Sequence, residues 1–189
     1  MPMIRECIVT TIAADGTPHL APLGLIEDVE GWTIAPFRPS ATLDNLRAVP
    51  FATANFADDV RVFAGCLTGR REWALVPAAR IPPPRLAAAL AHAELAVVRV
   101  TEDNLRPRFL CRVLHRAMHA PFAGFNRAQS AVVEAAILVS RLHLLPREMI
   151  EAEFARLRVP VEKTAGAAER EAWEWLMESV ARAGATAGT

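Results

Sequence analysis

Phe37-Arg38-Pro39-Ser40-Ala41-Thr42-Leu43-Asp44-Asn45-Leu46 is the segment around which the rest of the chain is organised. It follows a strand-like run, Trp32-Thr33-Ile34-Ala35-Pro36, and turns into a short helix. Pro39 fits the first turn, and Ser40 or Thr42 can cap it by accepting a bond from an orphan backbone N–H. Pro50 lies just past the helix end. A helix start carrying Arg38 and two hydroxyls suits an anion, because free N–H groups, the positive dipole end and a guanidinium fork converge there. The same residues equally describe an ordinary capped helix with a solvated arginine, so the neighbouring segments have to decide.

Upstream lie Ile8-Val9-Thr10-Thr11-Ile12, the turn Ala14-Asp15-Gly16-Thr17, and a run from His19 through Ala21-Pro22-Leu23-Gly24 to Ile26. Asp-Gly between two strand-like runs is a strong hairpin signal. Downstream comes another β-rich run, Phe51-Ala52-Thr53-Ala54-Asn55-Phe56. This order resembles the FMN-binding split barrel of the pyridoxamine-phosphate-oxidase and flavoreductase superfamily. It is most similar to a family of archaea and methylotrophic bacteria classed as domain of unknown function 447. That resemblance rests on Val9-Thr10-Thr11, Ala21-Pro22-Leu23-Gly24, Phe125-Asn126-Arg127-Ala128, Glu134-Ala135-Ala136-Ile137 and Arg141-Leu142. His19 departs from it, standing where Asn is expected.

The resemblance implies a mainly β fold: an antiparallel, Greek-key-like split barrel with a C-terminal α-helical appendage packed on it. It implies non-covalent FMN and a homodimer with flavin near the subunit interface. Arg38, Ser40 and Thr42 would take the phosphate, and Pro22, Leu23 and Gly24 would line the isoalloxazine with backbone groups. Thr11 and Asn55 would bond the ring or ribityl chain, and Asn126-Arg127 would reach the ligand from a second tier. The activity implied is that of an FMN-dependent oxidoreductase, linked to methanopterin-dependent one-carbon metabolism. The alternatives are a non-catalytic flavin-binding or accessory protein of that pathway, and a dimeric barrel module that has lost flavin.

Composition bounds these readings. The chain has 189 residues, 52% of them hydrophobic, enough for one domain or one domain with an appendage. Lys+Arg and Asp+Glu both total 21, which gives no support for a polyanionic partner. Lys163 is the only lysine, so an additional arginine carries little functional weight. The mean hydropathy of +0.20 argues against disorder. Cys7, Cys66 and Cys111 form no paired motif and suggest reduced thiols in a cytoplasmic protein. No apolar run approaches the ~20 residues that cross a bilayer.

Along the chain, residues 4–36 read as three strands, 39–48 as the short helix, and 51–57 and 60–67 as two more strands about an Ala57-Asp58-Asp59 turn. Trp73-Ala74-Leu75-Val76-Pro77 is a strand or a buried tether. Pro82-Pro83-Pro84 marks a break, and 85–91 reads as a short helix. Strands are expected at 94–101 and 109–114. Helices follow at 126–143, from Pro146 to Pro160, and at 169–182, with a frayed tail from Gly184. The division expected is a barrel domain, 1–120, and a helical appendage, 121–189.

Two constellations stand out. Cys111, His115 and His119 are spaced by four, but the segment reads as a strand running into a loop and no fourth ligand is near. The expectation is therefore a buried cysteine, exposed histidines and no metal. Arg127, Glu134 and Arg141 share one stripe of the 126–143 helix and are expected to form a partly buried ion-pair network. No Gly-x-Ser-x-Gly turn, dinucleotide fingerprint or P-loop is present, so a nucleotide-like cofactor would be bound without a Rossmann unit.

Overall fold

The structure, a computed structural model, describes residues 2–186. Its strands are β1 (Ile4–Ile12), β2 (Pro18–Asp28), β3 (Gly31–Ile34), β4 (Phe51–Phe56), β5 (Leu75–Val76), β6 (Arg85–Leu86), β7 (Ala91–Thr101) and β8 (Arg108–Met118). Its helices are α1 (Ala41–Ala48), α2 (Val60–Thr68), α3 (Arg127–Val139), α4 (Arg147–Thr164) and α5 (Ala167–Thr186). Two compact units result. One takes Met1–Ala57 and Trp73–Phe122, the other Asp58–Glu72 and Ala123–Thr189. The helical unit thus includes a piece of chain from between two barrel strands, which a single cut at 120 does not separate. No helix among the described residues is long and apolar enough to cross a membrane.

In the first unit the order β1-β2-β3-β8-β7-β4 closes an antiparallel barrel. Alternation sends Cys7, Val9, Ala93 and Leu95 inward to pack with Trp32, Ile34 and Phe109. Leu43 and Leu46 of α1 join the same cluster, so α1 closes one end of the barrel. Gly31 lets β3 approach β8. Its φ is +149°, and a Cβ there would meet the Cys111 carbonyl oxygen at 2.1 Å.

The outer face of β1, β4 and β7 is buried too. A strap formed by residues 73–90, with the small β5–β6 pair inside it, lies over that face and is pinned by polar side chains. Asn55 Oδ1 accepts from the Leu86 N–H, and Thr53 Oγ1 donates to the Pro83 carbonyl. Glu94 accepts from the N–H groups of Ala79 and Arg80, each at 2.7 Å. The helix expected at 85–91 is therefore absent. The strap's backbone groups are satisfied partly by the short β5–β6 ladder and partly by side chains from the barrel, not by helical bonds.

Residues 60–67 form α2, not a strand. Asp59 caps it by accepting from the Arg61 N–H, and Gly69 ends it at φ +89° in the left-handed region. The β-branched Val60 and Val62 favour a strand locally. The apolar spacing of Val60, Phe63, Ala64 and Leu67 is helical, and Val60 and Ala64 bury against α3 in the second unit's core. That core continues through Ala128, Val132 and Ala135 of α3, Ile150 and Phe154 of α4, and Trp173 and Leu176 of α5.

Three expectations for this unit change. Pro160 lies inside α4, which continues to Thr164. The polar stripe of α3 is solvated: Arg127, Glu134 and Arg141 are exposed, and no ion pair joins them among the described residues. Ala and Val alone fill the buried face, so no charge is drawn inside. The tail expected from Gly184 is helical as far as Thr186, and 187–189 lie outside the described residues.

Candidate functional site

β2 is where the barrel opens. β1 pairs with it along residues 18–26, but β3 pairs only with residues 26–28. β3 therefore leaves one edge of residues 20–25 unpaired. Every residue from His19 to Gly24 is half-buried, neither sealed in the core nor fully open to solvent. Pro22, which lacks an N–H, is tolerated in mid-strand because of that edge. Gly24 is needed for packing on its other side: a Cβ there would meet Ile4 Cγ2 at 2.5 Å. α1 packs against both β1 and β2.

The loop entering α1 is held by the β7–β8 loop. The Arg38 N–H donates to the Leu105 carbonyl at 2.9 Å. Arg38 Nε donates to the Asp103 carbonyl, and its terminal nitrogen pairs with Glu102. Arg47 donates to both oxygens of the same Glu102 at 3.0 Å. Arg106 bonds the Ala35 carbonyl and stacks its guanidinium 4.5 Å from the Phe37 ring centre. Asp103 accepts from the Arg106 and Leu105 N–H groups, which hold its carboxyl below the usual range. Two guanidiniums thus share the one Glu102 carboxylate beside the α1 entrance, and the Asp103 carboxylate also lies in the field of Arg38.

The side chains singled out in the sequence fall into three groups. Pro22, Leu23, Gly24, Arg38 and Ser40 belong to the open edge and the α1 entrance. Ser40 is the N-cap, its Oγ accepting from the Leu43 N–H; Pro39 precedes it, and Thr42 is buried inside the first turn, not at the cap. Thr11 and Asn55 are both 0% exposed. Thr11 Oγ1 accepts from Asn45 Nδ2 of α1. Asn55 Nδ2 donates to the Ile8 carbonyl and to Thr10 Oγ1, while its Oδ1 holds Leu86. Asn55 is fully occupied beneath the strap and has no donor left for a ligand. Asn126, in the other unit, caps α3 by accepting from the Ala128 N–H and ties it to the Thr164 carbonyl; Arg127 is exposed.

A second constellation was missed by the sequence. Cys111 points into the barrel and is 0% exposed. Leu114 forms a bulge in β8, so that Val113 faces Leu95 but His115 faces Glu94. The bulge carries His115 to the outer face, away from Cys111 and beside His92 and Glu94. Burial pushes the Glu94 carboxyl up, but Ala79, His92, Arg80 and His115 more than offset this and hold it below the usual range.

Comparison with known proteins fits this architecture. Residues 5–120 match the N-terminal domain model of a family described as protein of unknown function (DUF447), and residues 126–178 match its second model. A search of curated proteins found no match. The crystal structure of the FMN-bound DUF447 protein MM1853 from Methanosarcina mazei is similar at 20% identity, with 95% of this chain and 96% of that one covered and a TM-score of 0.82. The 2-nitrobenzoate 2-nitroreductase NbaA of Pseudomonas fluorescens is similar at 16% identity, over 63% of this chain and 66% of that one, TM-score 0.53. BorF, the flavin reductase component of a bacterial two-component tryptophan halogenase, is similar at 18% identity, over 64% and 83%, TM-score 0.52. The two family models together span most of the chain, which belongs to the DUF447 family.

Proposed function

We propose that this chain binds FMN non-covalently along β2 and serves as a flavin-dependent oxidoreductase. The observation that carries the reading is the half-buried stretch of residues 20–24 beside α1, whose second edge β3 does not pair. Such an edge offers backbone N–H and C=O groups to a planar heterocycle with donors and acceptors on its rim. The start of α1, with the Ser40 cap and the Arg38 guanidinium beside it, suits a phosphate dianion. The likeness to an FMN-bound family member and to flavin reductases supports the same choice. When bound, the flavin supplies the redox chemistry, while the chain's part is position and electrostatics.

The test is direct. Purified protein should be yellow and titrate with one FMN per chain by quenching of flavin fluorescence. Anaerobic NAD(P)H should then bleach the bound flavin. Protein that binds FMN but is reduced by no donor is an accessory flavoprotein, and protein that binds none overturns the reading. A role beside methanopterin-type cofactors in one-carbon metabolism, supported by the family resemblance, would appear as flavin reduction by such a cofactor.

The proposal includes a homodimer with the flavin near the subunit interface. Phe37 and Leu105 are large exposed hydrophobics on the two loops that Arg38 joins, beside the proposed phosphate site. Exposed apolar groups clustered at a ligand site favour a covering subunit. Light scattering should give about twice the 20.6 kDa chain mass. A strictly monomeric protein at micromolar concentration counts against an interfacial flavin.

A further inference from the structure

We propose that His92, Glu94 and His115 form a binding site for one divalent transition-metal ion of the zinc type. One donor atom from each lies within 4.8 Å of the other two. His92 Nε2 and Glu94 Oε1 are 3.2 Å apart. Two ligands about 2.1 Å from a tetrahedral ion are separated by roughly 3.4 Å, so this pair already has the required spacing. His115 reaches the same face through the Leu114 bulge. It is only half-buried, which gives its side chain room to close the remaining gap.

The surroundings orient the first two donors. The N–H groups of Ala79 and Arg80 hold one Glu94 oxygen each. His92 Nδ1 lies 2.9 Å from His119 Nε2, and the two rings are within 16° of parallel. Metal-binding imidazoles are commonly fixed in this way, with the second ring nitrogen bonded to an outer partner. In the metal-free protein the His92 Nε2–H donates to Glu94 and the His119 Nε2–H donates to His92. With zinc on His92 Nε2, both rings change tautomer: His92 donates from Nδ1, and His119 accepts. No net proton is gained or lost in that exchange. Two imidazoles and one carboxylate form the donor set of open zinc sites, whereas Mg²⁺ and Ca²⁺ prefer oxygen throughout. The guanidiniums of Arg80 and Arg85 turn to the Leu114 and Leu86 carbonyls and leave Glu94 to the ion. The fourth position falls to water or an anion. None of this depends on the flavin reading.

The experiment is a calorimetric titration of full-length, chelator-treated protein with zinc chloride, repeated with Co²⁺ to read its ligand-field absorption. One ion per chain with a tetrahedral Co²⁺ spectrum is expected. His115→Ala, a half-buried position whose loss leaves the barrel core intact, should abolish stoichiometric uptake, and His115→Gln should do the same. His119→Ala should keep the stoichiometry and weaken affinity about ten- to a hundred-fold. Circular dichroism confirms that each variant is folded. No uptake at micromolar zinc overturns the proposal. So does uptake that survives both His115 substitutions, or that disappears only in Cys66→Ser.

Discussion

Asn55→Ala should destabilise the barrel by about 3–5 kcal/mol, and the melting temperature should fall on the order of 10 °C. Asn55 is wholly buried, and its amide bonds at both ends. Removing it orphans the Leu86 N–H of the strap, the second bond of the Ile8 carbonyl, and Thr10 Oγ1. Each buried group left without a partner costs about 1–3 kcal/mol, and local relaxation recovers part of the sum. Thr53→Val is the comparison. It removes one bond, to the Pro83 carbonyl, and should cost about 1 kcal/mol. Denaturant unfolding of both variants checks the ratio. A loss below 1 kcal/mol in Asn55→Ala would mean that the strap is held elsewhere. The same variant separates two roles for this residue. If Asn55 touched flavin, FMN affinity would fall more steeply than stability; with Asn55 beneath the strap, affinity measured well below the melting range should change little.

Asn55 also shows what the sequence can convey. Its strand was legible, because Phe51 to Phe56 is β-rich and bounded by breakers. Its function was not, since its main partner, Leu86, lies 31 residues away in a segment with no periodicity of its own. The first hairpin was legible for the opposite reason. Asp15 accepts the Thr17 N–H and Gly16 takes φ +87°, both within the turn itself. α1 was legible from Ser40, a local cap. α2 was not: Asp59 caps a helix as readily as it makes a turn, and only burial of Val60 and Ala64 among the other helices decides between them. The histidine cluster depends on a bulge. Counting by fours placed Cys111 and His115 on one side, and the single unpaired residue Leu114 put them on opposite sides. For the proposed flavin site, the Ala-Pro-Leu-Gly strand was visible, but the edge that β3 leaves unpaired was not. That edge is a property of β3, whose pairing with β2 stops at Ile26.

Arg38→Ala should lower FMN affinity about two- to a hundred-fold and leave riboflavin binding unchanged. The two ligands differ by one phosphate, largely dianionic at neutral pH. A charge-assisted contact from Arg38 contributes about 1.5–3 kcal/mol. The guanidinium is not idle beforehand, since it pairs with Glu102. Glu102 is 62% exposed, so leaving it costs only about 0.2–1 kcal/mol. The net is about 0.5–2.8 kcal/mol, which gives the stated range. Arg38→Lys should recover only part of the loss, because a point charge cannot reproduce the planar fork. The shared carboxylate adds a gain-of-affinity test. Glu102→Gln releases both Arg38 and Arg47 and should tighten FMN about two- to five-fold, again without effect on riboflavin. Flavin fluorescence titrations of both ligands against the three variants measure all of this. Equal weakening of FMN and riboflavin by Arg38→Ala would make Arg38 a clasp between the loops of residues 35–40 and 102–107, with the phosphate seated elsewhere. Loosening of FMN by Glu102→Gln would point the same way, because the carboxylate would then serve the site by holding the loop and not by competing for the arginine.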